Sequence, residues 1–204
     1  MKFAIIVGSH RPDSQSTKVG KYVEHQLKQL FPQAELYFLD LRNNPLPLWQ
    51  EDVWQENSDL RKFWQPYSDK LASSDAFIVI SPEWSGMVPA GLKNVFLYCN
   101  NYELANKPAL IVTVSASRGG SYPVAELRMN SGKNTFICYI PEHVIVRNVT
   151  GILNDFALNE SNKDDFYIKN RIVYCLKILE KYASALKPVR EGGVFDYKDY
   201  PYGM

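Results

Sequence analysis

Apolar residues along the chain come in two rhythms. Short, largely apolar runs, KFAIIV (2–7), ELYFLDL (35–41), AFIVI (76–80), ALIVTV (109–114) and HVIV (143–146), read as strands, the first and third as strands buried in a sheet. Between them, apolar residues recur at helical spacing. Val19, Val23, Leu27 and Leu30 predict a helix after the first strand. Leu60, Phe63, Tyr67 and Leu71, behind a capping Ser58, predict a second, which Pro66 is expected to kink or divide. A third helix is expected from about Pro89 to Cys99, with its proline in the first turn, and a fourth over about 122–131. The last, about 164–186, carries Ile168, Ile172, Cys175, Leu176, Leu179 and Leu186 on one face. The stretch 42–56, rich in Pro, Asn and Trp, reads as a loop.

Strand and helix alternate throughout, the sign of an α/β fold with a parallel sheet and helices on both faces. Right-handed crossovers leave few topologies for such an order. One domain is expected over 1–190. The aromatic tail EGGVFDYKDYPYGM (191–204) is costly to expose, so it is expected to pack on its own domain or on a neighbouring subunit.

Composition narrows the function classes. The 204 residues carry a formal charge of +1, which gives no electrostatic reason to expect nucleic acid or an anionic membrane as partner. No run of ~18 apolar residues is present, so no membrane span is expected. The apolar part of MKFAIIVGSH is too short and too strand-like for a secretion signal. Cys99, Cys138 and Cys175 are odd in number, far apart and without a CxxC pair. They read as buried thiols in a reducing compartment, and a cytoplasmic location is expected.

In sheets of this kind, ligands bind beyond the carboxyl ends of the strands, where strand order switches. The loops after strands one, three and four therefore carry the candidate chemistry. The first, GSHRPDSQST (8–17), has a glycine for a tight turn, the hydroxyls of Ser9, Ser14, Ser16 and Thr17, and the guanidinium of Arg11, all beside a helix start. That set suits a phosphate, or else simply caps a helix. It lacks the GK[ST] ending of a P-loop and the full GxGxxG of a dinucleotide turn. The second, SPEWSGMVPAGLKN (81–94), places a large indole, Trp84, in a turn with Ser85 and Gly86. Trp84 either caps the core or walls a site for a flat ligand. The third, SASRGGSYP (115–123), offers Ser115, Ser117, backbone N–H groups at Gly119 and Gly120, the cation of Arg118 and the ring of Tyr122. Together the three loops point to a planar, phosphorylated ligand.

The same loops resemble those of the NAD(P)H-dependent FMN reductase family. The resemblance rests on GSxRxxS after the first strand, on Ser81, Pro82, Glu83, Pro89, Leu92, Lys93 and Asn94 in the strand-three motif, and on the Ser/Gly loop. It covers about residues 1–150. It implies a flavodoxin-like fold with strand order 2-1-3-4-5 and noncovalent FMN. By position, it implies that Ser9, Arg11, Ser14 and Ser16 hold the phosphate. Pro82, Glu83, Trp84 and Ser85 would line the ring or its side chain, and Ser117, Gly119 and Gly120 would approach its polar edge. The family often has Asn at Ser16, and Tyr-Asn at Trp84-Ser85, which leaves ring hydrogen bonding at Ser85 open. Arg118 faces either a dinucleotide phosphate or a neighbouring subunit.

The implied activity is hydride transfer from NADPH or NADH to FMN, then reduction of a small acceptor: free flavin, quinone, azo or nitro compound, or metal ion. No side-chain acid or nucleophile is required, and Glu83 is expected to serve as a backbone or helix cap. A homodimer or homotetramer is implied. The alternatives are a flavodoxin-type electron carrier, against which the +1 charge argues, and a fold relative that binds no flavin and acts as an interaction module.

Overall fold

A computed structural model of the chain describes residues 1–100 and 102–202. The strands β1 (Lys2–Val7), β2 (Glu35–Asp40), β3 (Ala76–Pro82), β4 (Pro108–Val114) and β5 (Cys138–Val146) form one sheet in the order β2-β1-β3-β4-β5. Every neighbouring pair is parallel. Helices α1 (Gln15–Leu30), α2 (Asp59–Ala72), α3 (Ala90–Tyr98) and α4 (Ser121–Asn130) make the crossovers, and α5 (Lys163–Glu191) follows β5. The flavodoxin-like order implied by the loops is the one observed, and the switch point falls between β1 and β3.

Side chains alternate across the sheet, which divides the core in two. Phe3, Ile5, Val7, Ile78, Ile80 and Val112 face α1 and α5, where Val19, Val23, Leu27, Ile172, Leu176 and Leu179 cover them. Ala4, Ile6, Phe77, Val79 and Ile111 face the other way, under Trp64 and Leu71 of α2, Leu92 and Val95 of α3 and Leu127 of α4. Strands covered on both faces have no polar side to present, hence the largely apolar runs.

Four expectations need correction. Pro66 does not divide α2, which runs unbroken from Asp59 to Ala72. The buried face of that helix centres on Trp64, with Ser68 and Leu71, whereas Phe63 is exposed. Trp64 Nε1 and Ser68 Oγ both donate to the buried Glu103 carboxylate, a polar anchor that periodicity does not reveal. Strand β5 begins at Cys138, five residues before the expected 143. Pro141 lies inside it, tolerated because β5 is an edge strand with a register shift against β4. Helix α5 reaches Glu191 and buries Lys169 completely, paired with Asp165 and Asp155 at 2.7 and 2.8 Å.

Of the tail, Tyr197 packs on its own domain, whereas Val194, Tyr200 and Tyr202 stay exposed. Tyr197 stacks on Tyr102 with centroids 4.1 Å apart, and its hydroxyl accepts from Asn106 Nδ2 at 2.7 Å. Residues 203 and 204 of the expected tail lie outside the described residues.

Candidate functional site

The loop after β1 ends in a capped helix. Ser14 stands at the N-cap of α1 and its hydroxyl accepts from the Thr17 N–H at 3.0 Å. The N–H groups of Gln15 and Ser16 at the first turn have no intrahelical acceptor, an arrangement that suits an anion. Ser9 and Ser16 are buried beside it, and Arg11 is exposed at its mouth. Thr17 is turned elsewhere: its hydroxyl donates to Asp40 Oδ2 at 3.1 Å and ties α1 to the end of β2. Gly8 is required for packing rather than for a turn. A Cβ at Gly8 would lie 2.6 Å from Leu92 Cδ2, so the motif leucine of α3 rests on the backbone of the first loop.

The loop after β3 makes a two-residue reversal. Trp84 and Met87 exchange both backbone hydrogen bonds, at 3.1 and 2.9 Å, around Ser85 at φ +51° and Gly86 at φ +76°. Positive φ at both central positions is the type I′ pattern, which favours Asn-Gly. The asparagine that the family often carries where Ser85 stands is therefore the residue this backbone favours. Trp84 is half-buried, belongs to neither core layer, and meets His10 edge to face at 4.8 Å. It is a wall of the cleft and not a cap on the core.

The loop after β4 is held from three sides. Glu83 Oε2 accepts from the Gly120 N–H at 2.6 Å, so this motif acid caps α4 and ties the second loop to the third. Arg147 Nε donates to the carbonyls of Arg118 and Gly119, at 2.7 and 3.1 Å. Ser115 Oγ accepts from the Ser117 N–H, and the Ser115 and Ser117 carbonyls accept from Val149 and Asn148. With Gly120 engaged, the N–H groups of Arg118 and Gly119 find no acceptor among the described residues. Lys18 of α1 holds the chain beyond β5 in place, donating to the carbonyls of Val149 and Ile152 at 2.5 and 2.9 Å. Burial lowers the Lys18 pKa from its ordinary value, with Asp165 opposing.

These loops enclose a cleft at the switch point. Ser9, Arg11, Ser14, Ser16, Pro82, Glu83 and Trp84 line it, all seven anticipated from the sequence. Asp13, Gln15, Val114, Ala116 and Val149 also line it and were not anticipated. Gln15 was findable as the first residue of a capped helix. Val149 had no signal, because a loop thirty residues beyond the third motif brings it in. Ser115, Ser117, Arg118, Gly119 and Gly120 shape the adjoining loop. Ser85, Gly86 and Tyr122 form an outer shoulder, where a Cβ at Gly86 would lie 3.8 Å from Tyr122 Cδ2. The enclosed part measures about 100 Å³. It suits the phosphate end of FMN and not the whole molecule. Around it, the Trp84 indole, the exposed Tyr122 phenol and the two free N–H groups of the adjoining loop suit a flat ring with acceptor atoms. The donor set fits FMN.

The rest of the strand-three motif builds the frame. Lys93 pairs with Glu126, whose other oxygen accepts from the Val88 N–H at 2.7 Å. Asn94 accepts from the Trp49 N–H and donates to the Pro47 carbonyl, both at 2.8 Å, pinning the long loop after β2.

The family model described as NADPH-dependent FMN reductase matches residues 1–151. A quinone reductase of Pseudomonas putida is 30% identical over 123 residues, covering 58% of this chain and 62% of that protein. The chain thus aligns with less than two thirds of the length of the first curated relatives it matches. An FMN-dependent NADPH-azoreductase of Staphylococcus aureus is 25% identical over 187 residues, covering 84% and 90%. Among solved structures, a flavoenzyme NAD(P)H:(acceptor) oxidoreductase from Paracoccus denitrificans superposes with a TM-score of 0.66 at 19% identity, covering 89% and 98%. That likeness speaks to the fold. No helix among the described residues is long and apolar enough to cross a membrane.

Proposed function

The chain belongs to the NADPH-dependent FMN reductase family, and from that premise we propose that it binds FMN and uses NADPH or NADH to reduce a small acceptor. Quinone and azo acceptors come first, after the similar proteins, with free flavin, nitro compounds and metal ions in the same class. The observation that carries the reading is the meeting of a capped, hydroxyl-lined helix start with an indole wall in one cleft at the switch point.

FMN supplies the hydride chemistry. The residues bind and orient it. The N–H groups at the start of α1, the hydroxyls of Ser9, Ser14 and Ser16, and Arg11 hold the phosphate. Pro82 and Trp84 flank the ring, with Ser85, Gly86 and Tyr122 at its outer edge. The free N–H groups of Arg118 and Gly119 donate to the ring's polar edge, in a loop kept in shape by Ser115, Ser117 and Gly120. Thr17 supports the site through Asp40. No side chain is assigned to proton transfer, since Glu83 is engaged by Gly120.

A cytoplasmic location accords with three free cysteines. A homodimer or homotetramer accords with the exposed Met87 and Tyr122 beside the cleft. Light scattering is expected to give at least twice the 23.4 kDa chain mass. Steady-state NADPH oxidation by the FMN-loaded protein, with benzoquinone as acceptor, tests the activity. Turnover that requires both FMN and quinone supports the reading, and bound FMN without any turnover favours an electron carrier.

A further inference from the structure

We propose that Lys18 is a positioning residue for the flavin ring. It locks the loop after β5 onto α1 and so sets the gap between the phosphate end of the cleft and the loop that meets the ring. The inference rests on the assignment of the cleft to FMN.

Lys18 lies two residues beyond Ser16, in the first turn of α1. An ammonium has three protons to donate. Here all three find acceptors: the carbonyls of Val149 and Ile152 at 2.5 and 2.9 Å, and Asn154 Oδ1 at 2.7 Å. The three acceptors belong to one short stretch, 149–154, and none is a carboxylate. Burial lowers the Lys18 pKa, so the charge is kept there against a desolvation penalty. A lysine with no such duty turns its head into water.

The stretch it holds needs holding. Asn148 at φ +48° and Leu153 at φ +55° lie in the left-handed region, on either side of a single helical turn, Val149–Gly151. A leucine keeps that conformation only where its surroundings impose it. From the other side, Asp165 Oδ1 accepts from the Leu153 N–H at 2.7 Å. The loop is thus fixed between α1 and α5.

Val149 carries the effect into the cleft. Its side chain is buried and lines the cleft beside Ser16 and Ala116. Its N–H donates to the Ser115 carbonyl at 3.2 Å, and the Asn148 N–H donates to the Ser117 carbonyl at 3.0 Å. Its carbonyl is the one that Lys18 takes. A single residue therefore bridges the helix that begins at the phosphate end and the loop whose Arg118 and Gly119 N–H groups are assigned to the ring. Without the ammonium, that loop keeps its sequence but loses its fixed distance from α1.

The test titrates the full chain with FMN and with riboflavin, which has the ring and no phosphate, and reads flavin fluorescence. Lys18→Met keeps the side-chain length and removes the donors. It should weaken both flavins by the same factor, about five- to tenfold, the scale of re-ordering a loop on binding. Lys18→Arg keeps the charge and the donors and should recover most of that loss. Asn154→Ala, at an exposed position, removes one acceptor of the three and should weaken both flavins about two- to threefold; it keeps the test open if Lys18→Met folds poorly. A lower urea midpoint with both affinities unchanged overturns the proposal and leaves Lys18 a strut of the fold. A loss confined to FMN overturns it as well, by making Lys18 a phosphate contact. If the parent binds neither flavin, the cleft assignment fails and this inference falls with it, a result read from the parent before any substitution.

Discussion

Replacing Glu83 by alanine removes the carboxylate that joins the second loop to the third. Its Oε2 lies 2.6 Å from the Gly120 nitrogen, and Gly120 is buried at the N-cap of α4. The loss combines a charge-assisted hydrogen bond, about 1.5–3 kcal/mol, with a favourable charge at a helix start, about 0.3–1 kcal/mol. Glu83→Ala should therefore lower unfolding free energy by about 2–3 kcal/mol, read from urea denaturation of the FMN-loaded protein. Glu83→Gln keeps an acceptor in place and surrenders only the charge, so its loss should be about 1 kcal/mol. The glutamine variant should still be reduced by NADPH in a single turnover at close to the parent rate. If Glu83→Gln is stable and binds FMN yet cannot be reduced, the carboxylate moves a proton and the cap assignment is wrong. If Glu83→Ala is as stable as the parent, the tie contributes nothing.

Four further outcomes are expected. Ser85→Asn should stabilise the chain by up to about 1 kcal/mol, since φ +51° is a conformation asparagine adopts more readily than serine; an unchanged urea midpoint would count against the turn assignment. Arg11→Ala should weaken FMN about 10–150-fold, as expected for one lost charge-assisted contact, while riboflavin, which has no phosphate, changes little. Trp84→Ala should lower FMN affinity modestly and raise the emission of the flavin still bound, with Trp84→Tyr recovering most of the affinity. Burial pushes the Cys175 thiol from 9.0 up to about 11. Its raised pKa means that its contribution is complete below pH 9 and is lost as pH rises to 11, at most about 3 kcal/mol. Cys175→Ala should thus show a shallower fall in stability from pH 8.5 to 10.5 than the parent, although less stable at neutral pH.

Much of the fold was legible because buried strands and amphipathic helices have different periods. Errors arose where one residue masked its surroundings. Pro141 hid the first half of β5, and Pro66 suggested a break in α2 that tertiary packing of Trp64 overrides. Lys169 sits on the buried face of α5 because Asp165 and Asp155 reach it, and apolar spacing carries no trace of those partners. In the site, the residues of the first two loops were readable from their chemistry. The third loop was readable as a motif but not in its bonding. Glu83 takes up the Gly120 N–H and Arg147 the carbonyls of Arg118 and Gly119, and both residues come from the ends of other strands.

The central claim is that this cleft holds FMN in a position where a reduced nicotinamide can reach it. The most direct measurement is the visible spectrum of the purified, FMN-loaded protein, followed under anaerobic conditions as one equivalent of NADPH or NADH is added. The account predicts a bound-flavin spectrum and loss of the flavin band within the turnover time, with the band returning when quinone is admitted. Bound flavin whose band persists in excess NADPH and NADH would contradict the reductase assignment. Failure to bind FMN at all would contradict the reading of the cleft itself.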